Sequence, residues 1–157
     1  MRSASLNELK KELLELPSKQ LMELCLRLAK HKVENKELLN YLLFESHDEA
    51  VFIVEIKALM DEQFLNLNNS QVYLAKKTLR KVLRTSNKYI RFSGSAKVAV
   101  EVLIHFCILL KNSGLPLTPN TVLGNMHSLQ VKKIYAAIGK MHEDLQYDYL
   151  RNEDEWI

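Results

Sequence analysis

NSQVYLAKKTLRKVLRTSNKYIRF, residues 69 to 92, is the stretch whose reading decides the fold. Stepped at about 100° per residue, Lys77, Arg80, Lys81, Arg84, Lys88 and Arg91 fall within an arc of about 100°. Val72, Ala75, Leu79, Val82, Leu83 and Ile90 fall on the opposite side, at the spacing of a helix lying on a core. Both faces therefore predict one helix with an apolar side and a cationic stripe. Asn69 or Ser70 is expected to cap its start, because a short polar side chain accepts from the unpaired N–H groups of the first turn. Ser93-Gly94 is expected to close its end. Like charges recur three or four residues apart along the stripe, which destabilises the isolated helix by about 1 to 4 kcal/mol before screening. Counter-charge has to come from the protein's own acidic segments or from an anionic partner.

The charge distribution around this helix is uneven. Residues 1–62 carry 9 Lys/Arg against 12 Asp/Glu, residues 63–100 carry 8 against 0, and residues 101–157 carry 5 against 7. A chain of 157 residues that is 47% hydrophobic is long enough for one sizeable core, and 4 Gly and 3 Pro argue against linkers or an all-β fold. The expectation is one all-helical domain over residues 1–152, followed by an acidic tail, residues 153–157. Cys25 and Cys107 both sit in apolar helical patterns, which predicts buried thiols in a reducing cytoplasm and neither a disulfide framework nor a metal cage. The start, MRSASLNELKKELL, has no apolar core of a secretory signal. Val98 to Leu110, the longest apolar stretch, is broken by Glu101 and His105 and is shorter than the roughly 20 residues a membrane span needs. No membrane partner is expected.

Working outward, Ser5 and Glu8 form a capping box before a helix through Leu16. Pro17 breaks it and suits the first turn of a second helix ending near His31. A third helix is expected from Glu34 to Ser46. Asp48 should cap a fourth, reaching about Leu67. Within it, AVFIVEI, residues 50–56, has strand propensity, but the cap before it and KALMDEQF after it favour a buried helix. Ser95 to about Asn112 should be the most buried helix. LPLTP is a loop, and Thr118-Pro119 should start the last helical region, continuous to about Asn152 or broken near Gly139. The fold class predicted is all-α, with seven or eight helices in antiparallel pairs. They form either an irregular bundle or a short array of stacked pairs of the HEAT or armadillo kind. No repeat signature at 33 to 47 residues supports the array beyond its geometry.

The candidate functional surface is the cationic stripe, Lys77, Arg80, Lys81, Arg84, Lys88 and Arg91, with Tyr73 on the same line and Tyr89 and Phe92 near its far end. Such a track neutralises phosphates, and aromatics beside it stack on unpaired bases. The competing reading is a solvated face paired with the protein's own acidic helices. A second candidate is a phosphate site at Ser93, Gly94, Ser95 and Lys97, where a helix start offers free N–H groups; plain capping is the alternative, and no P-loop is present.

Other chemistries find little support. No Glu has a His three residues on, which the carboxylate-bridged di-iron pattern requires, and His-Glu-x-x-His is absent. Glu101 and His105 lie four apart on one helical line, where the carboxylate would orient the imidazole. His47-Asp48-Glu49 reads as a helix start and His142-Glu143-Asp144 as a solvated face. The acidic tail with Trp156 either frays or docks through its aromatic on a basic groove. No cofactor and no catalytic residue is expected. The predicted function is a cytoplasmic, non-enzymatic binding module whose cationic helix meets an anionic partner, with nucleic acid leading; an acidic protein surface, in a scaffold or adaptor, is the alternative.

Overall fold

Eight α-helices and no strand carry the described residues, 3–157, of the computed structural model. They fall into two compact units, one ending at Glu45 and one running from Ser46 to Ile157, where the sequence predicted one domain and a tail.

The first unit holds α1 (Leu6–Leu14), α2 (Ser18–His31), α3 (Val33–Asn40) and a π-helical turn at Tyr41–Glu45. The capping box forms as its spacing predicts: the Ser5 hydroxyl accepts from the Glu8 N–H, and the Glu8 carboxylate accepts from the Ser5 N–H at 2.7 Å. Pro17 stands at the N-cap of α2 and not inside its first turn. The single helix expected from Glu34 to Ser46 divides instead, as the wider turn takes over after Asn40 and the Asn40 amide donates to the Glu45 carboxylate at 2.6 Å. The α2 and α3 helices pack on each other, yet no residue of α1, α2 or α3 is buried.

The second unit holds α4 (Glu49–Leu65), α5 (Val72–Ser93), α6 (Ala96–Asn112), α7 (Val122–Ile138), α8 (Glu143–Leu150) and a 3-10 turn at Glu153–Glu155. The Asp48 carboxylate caps α4 by accepting from the Val51 N–H at 3.0 Å, and AVFIVEI is helical. Phe52, Ile53, Ile56 and Met60 are buried at helical spacing, so burial of one face overrides strand propensity. The α6 helix is central: it packs on α4, α5 and α7, and Val98, Val100, Val102, Phe106, Cys107 and Leu110 have no exposed surface. Glu49 pairs with Lys97, Lys57 with Glu101 and Asp61 with His105, so numbers rise together on both helices and α4 runs parallel to α6. The α5 helix connects the two and packs on each.

The starts of α5 and α7 also differ from the sequence reading. The N-cap of α5 is Gln71, because Asn68 Oδ1 has already collected the Ser70 and Gln71 N–H groups at 3.1 and 3.2 Å. The Asn69 amide is also committed, donating to the Ser113 carbonyl at 2.6 Å. The α7 helix starts three residues late: Thr121 caps it by accepting from the Gly124 N–H at 3.1 Å, while its hydroxyl donates to the Thr118 carbonyl at 2.6 Å. That loop presses on α7 at Gly124, where a Cβ would stand 2.1 Å from the Thr118 oxygen. The last helical region breaks at Gly139.

The acidic tail is part of the second unit. Trp156 is 1% exposed, with its ring 5.2 Å from that of Tyr135. Its carbonyl meets His127 Nε2 at 3.0 Å, the Tyr135 hydroxyl donates to the Glu153 carboxylate at 2.7 Å, and Lys111 Nζ donates to the Asp154 carbonyl at 2.9 Å.

Candidate anion-binding face

The α5 helix is anchored by Ala75, Leu79, Val82, Leu83, Ser86 and Phe92, all buried. Ser86 tolerates burial because its hydroxyl donates back to the Val82 carbonyl at 2.8 Å. That seating turns the opposite side outward, and Lys77, Arg80, Lys81 and Arg84 are exposed. None of these four takes part in an ion pair among the described residues. Acids are scarce locally: residues 63–100 contain none, and Glu49, Asp61 and Glu101 on the neighbouring helices are taken by Lys97, His105 and Lys57. Tyr73, 77% exposed, lies on the same line one turn before Lys77.

The far end of the stripe behaves differently. Lys88 sits 5.1 Å from the centroid of the Tyr89 ring, and both Lys88 and Arg91 have further interactions within the protein. Tyr89 packs edge-on against Phe52 and Phe92, with centroids 6.0 and 6.1 Å away. Phe92 is buried. These two aromatics therefore belong to the core and its margin and are not presented as stacking platforms. A helical wheel misplaces them because α4 wraps the C-terminal end of α5 through Phe52.

The junction of α5 and α6 is a capping structure. Gly94 takes φ +62° and returns its N–H to the Ile90 carbonyl at 3.0 Å, the left-handed turn a glycine permits. The Ser93 hydroxyl donates to the Ile90 carbonyl and accepts from the Ser95 N–H, and the Ser95 hydroxyl accepts from the Val98 N–H. Lys97 reaches Glu49 at 3.9 Å. Both serines and the lysine thus have partners of their own.

Glu101 and His105 do not pair with each other. Glu101 takes Lys57 Nζ at 2.5 Å and the Tyr149 hydroxyl at 2.7 Å, and His105 Nε2 meets Asp61 Oδ1 at 2.7 Å. Burial pushes the Glu101 carboxyl up, but the hydrogen bonds from Lys57 and Tyr149 outweigh it and hold the group below the usual range. Tyr149 is correspondingly pushed up, first by burial and then by the carboxylate it donates to. Inter-helix partners win here because α4 and α8 bring groups closer than the intrahelical spacing does. Neither Lys57 nor Tyr149 carries a local sequence signal that would mark this role. His142 caps α8 by accepting from the Asp144 N–H, a helix start and not a merely solvated face.

The two thiols separate. Cys107 is buried, and desolvation pushes it up to about 12, which makes it inert as a nucleophile at neutral pH. Cys25 is exposed, contrary to its apolar pattern, at a groove between α2 and α3 that its own unit leaves open. Among the described residues, no group of three His, Cys, Asp or Glu side chains is placed to hold a metal ion, and no helix is long and apolar enough to cross a membrane. Compared with protein-family models, with curated proteins and with solved structures, the chain matches none.

Proposed function

We propose that this protein is a non-enzymatic binding module that takes a polyanion, nucleic acid in the first place, along the outer face of α5. The observation that carries the reading is that Lys77, Arg80, Lys81 and Arg84 are exposed and without an ion pair among the described residues. From Lys77 to Arg84 the cations extend over about 10 Å of helix, a linear track suited to successive phosphates of one strand. Tyr73 at its start offers an exposed ring on which a base can stack. A regular row of phosphates relieves the like-charge repulsion along the helix at every step, which a single acidic side chain on a protein surface does not.

The test is fluorescence anisotropy with labelled single- and double-stranded oligonucleotides over a salt series. Four phosphate contacts give a slope of log K against log salt of about −3 for single strands and nearer −4 for duplex. Combined Lys77→Glu, Lys81→Glu and Arg84→Glu substitution abolishes binding, and Tyr73→Ala weakens single strands more than duplex. A parent protein that fails to bind either probe at low salt overturns the proposal.

A further inference from the structure

The first unit has apolar surface far beyond what its own helices cover. Among the described residues, twelve large apolar side chains are exposed before Ser46, against thirteen in the longer second unit, and Tyr41 is the one buried apolar residue there. A unit of this size without a core needs oligomerisation or another external support to hold its helices. Two complementary features stand out. One is a stripe on α1: Leu6, Leu9 and Leu13, spaced three and four apart, are 86%, 47% and 43% exposed. The other is a groove between α2 and α3 lined by Cys25, Leu28, Leu38, Leu39 and Leu42, with Leu24, Arg27, Lys30 and His31 continuing its rim.

We propose that α1 of one copy lies in the α2–α3 groove of a second copy and receives that copy's α1 in return, closing a two-fold dimer. Charge favours this occupant. Glu12, beside the α1 stripe, and Glu15 just beyond it are exposed and outside any ion pair among the described residues; so are Arg27 and Lys30 on the groove rim. An apolar helix with acids at its C-terminal end thus meets an apolar groove with bases at its edge, the helix-in-groove mode of recognition. The lengths agree, since Leu6 to Leu13 and Leu24 to His31 each cover about 10 Å of helix. Within one chain α1 is joined to α2 by only Glu15–Pro17 and borders it at Leu21, with its stripe still exposed. Two complementary surfaces on one chain close as an isologous two-fold pair when the exchange is reciprocal. A lipid surface is a poorer fit, because residues 1–45 carry 8 Lys/Arg and 7 Asp/Glu, without the basic polar face that anionic membranes select.

Sedimentation analysis of the full chain across a concentration series tests the proposal, with far-ultraviolet circular dichroism to confirm that each variant remains helical. The parent is expected to be a dimer. A stripe variant, Leu9→Glu with Leu13→Glu, and a groove variant, Leu28→Glu with Leu39→Glu, should each weaken association at least tenfold. Mixing the two should give a heterodimer tighter than either variant alone and weaker than the parent, since one α1–groove contact is then intact and the other, already broken, loses little more. Glu12→Arg should weaken the dimer and Arg27→Glu added to it should recover it. The Cys25 thiol, lining the groove, should react with a soluble disulfide reagent more slowly as protein concentration rises, while Cys107 stays unreactive in the folded protein. A parent that is monomeric at all concentrations, a dimer unaffected by the stripe variant, or variants that fail to complement each other would overturn it.

Discussion

Replacing Trp156 by Ala tests whether the last residues are structural. Trp156 is the single tryptophan of the chain and is 1% exposed, so truncation removes a fully packed ring from beside Tyr135. Truncations of this kind cost about 3 to 5 kcal/mol. The second unit, Ser46 to Ile157, at typical stability per residue, has about 6 to 17 kcal/mol in all. Trp156→Ala should therefore remove a quarter to a half of a mid-range stability and lower the melting temperature by about 10 to 20 °C. Part of the loss comes from the polar links of the same turn, since Glu153, Asp154 and the Trp156 carbonyl hold Tyr135, Lys111 and His127. Urea unfolding of the parent should give coincident transitions by tryptophan emission, which reads the seat itself, and by far-ultraviolet circular dichroism, which reads all helices of the cooperative unit. The variant is followed by circular dichroism alone. Emission that shifts at a lower urea concentration than the helices melt, or a variant within about 1 kcal/mol of the parent, refutes the reasoning.

Gly124→Ala should destabilise by about 1 to 3 kcal/mol, toward the upper end, because its methyl would meet the backbone oxygen and carbon of Thr118, which cannot rotate aside; an unchanged urea midpoint counts against the crossing of the loop over α7. Gln130→Met should stabilise by about 1 kcal/mol, since Gln130 Oε1 is buried with no hydrogen-bond partner among the described residues, the Nε2 bond it gives up to the Met126 carbonyl is long at 3.3 Å, and methionine keeps the volume; a destabilised variant would show that the oxygen is satisfied. His127 is held below its ordinary range, first by burial and further by Lys111, against the opposing hydrogen bond with the Trp156 carbonyl. The unfolded chain then takes up this proton first, so the stability due to His127 is complete above about pH 6.5 and is lost as pH falls through the lower folded value. The urea midpoint should fall between about pH 7 and pH 5, with a shallower fall in His127→Gln; equal slopes would exclude His127 as the source.

The helices were legible in the sequence because their signals are local. Ser5, Asp48 and Ser95 cap as written, Gly94 closes α5, and AVFIVEI is helical once the cap and the following residues are weighed together. What sequence could not supply was which of several adjacent polar residues takes a given N–H. Asn68 pre-empts Asn69 and Ser70, and Thr121 replaces Thr118 once the chain folds across Gly124. The pairings of Glu101 and His105 were also out of reach. An i,i+4 spacing describes one helix, whereas the hydrogen bonds are decided by α4 and α8, tens of residues away in the chain.

The same distinction divides the α5 stripe. Its N-terminal half is legible from periodicity alone, since Tyr73, Lys77, Arg80, Lys81 and Arg84 fall on the side opposite Ala75, Leu79 and Val82. Its C-terminal half is not, because Phe52 draws Tyr89 inward and Phe92 is buried beside it. Whether the exposed cations would meet acids of the same chain was the question composition could only pose. Part of the answer lies in the parallel run of α4 and α6, on which acids and bases match one another: Glu49 with Lys97, Lys57 with Glu101, Asp61 with His105. Acids already satisfied along that seam give little counter-charge to α5. The two can be tested apart: Lys57→Met leaves Glu101 with only the Tyr149 hydroxyl, at a cost to stability, and leaves the cations Lys77 to Arg84 where they are. Polyanion binding that survives Lys57→Met unchanged while the protein melts earlier would separate the seam, which holds the fold, from the face proposed to take the polyanion.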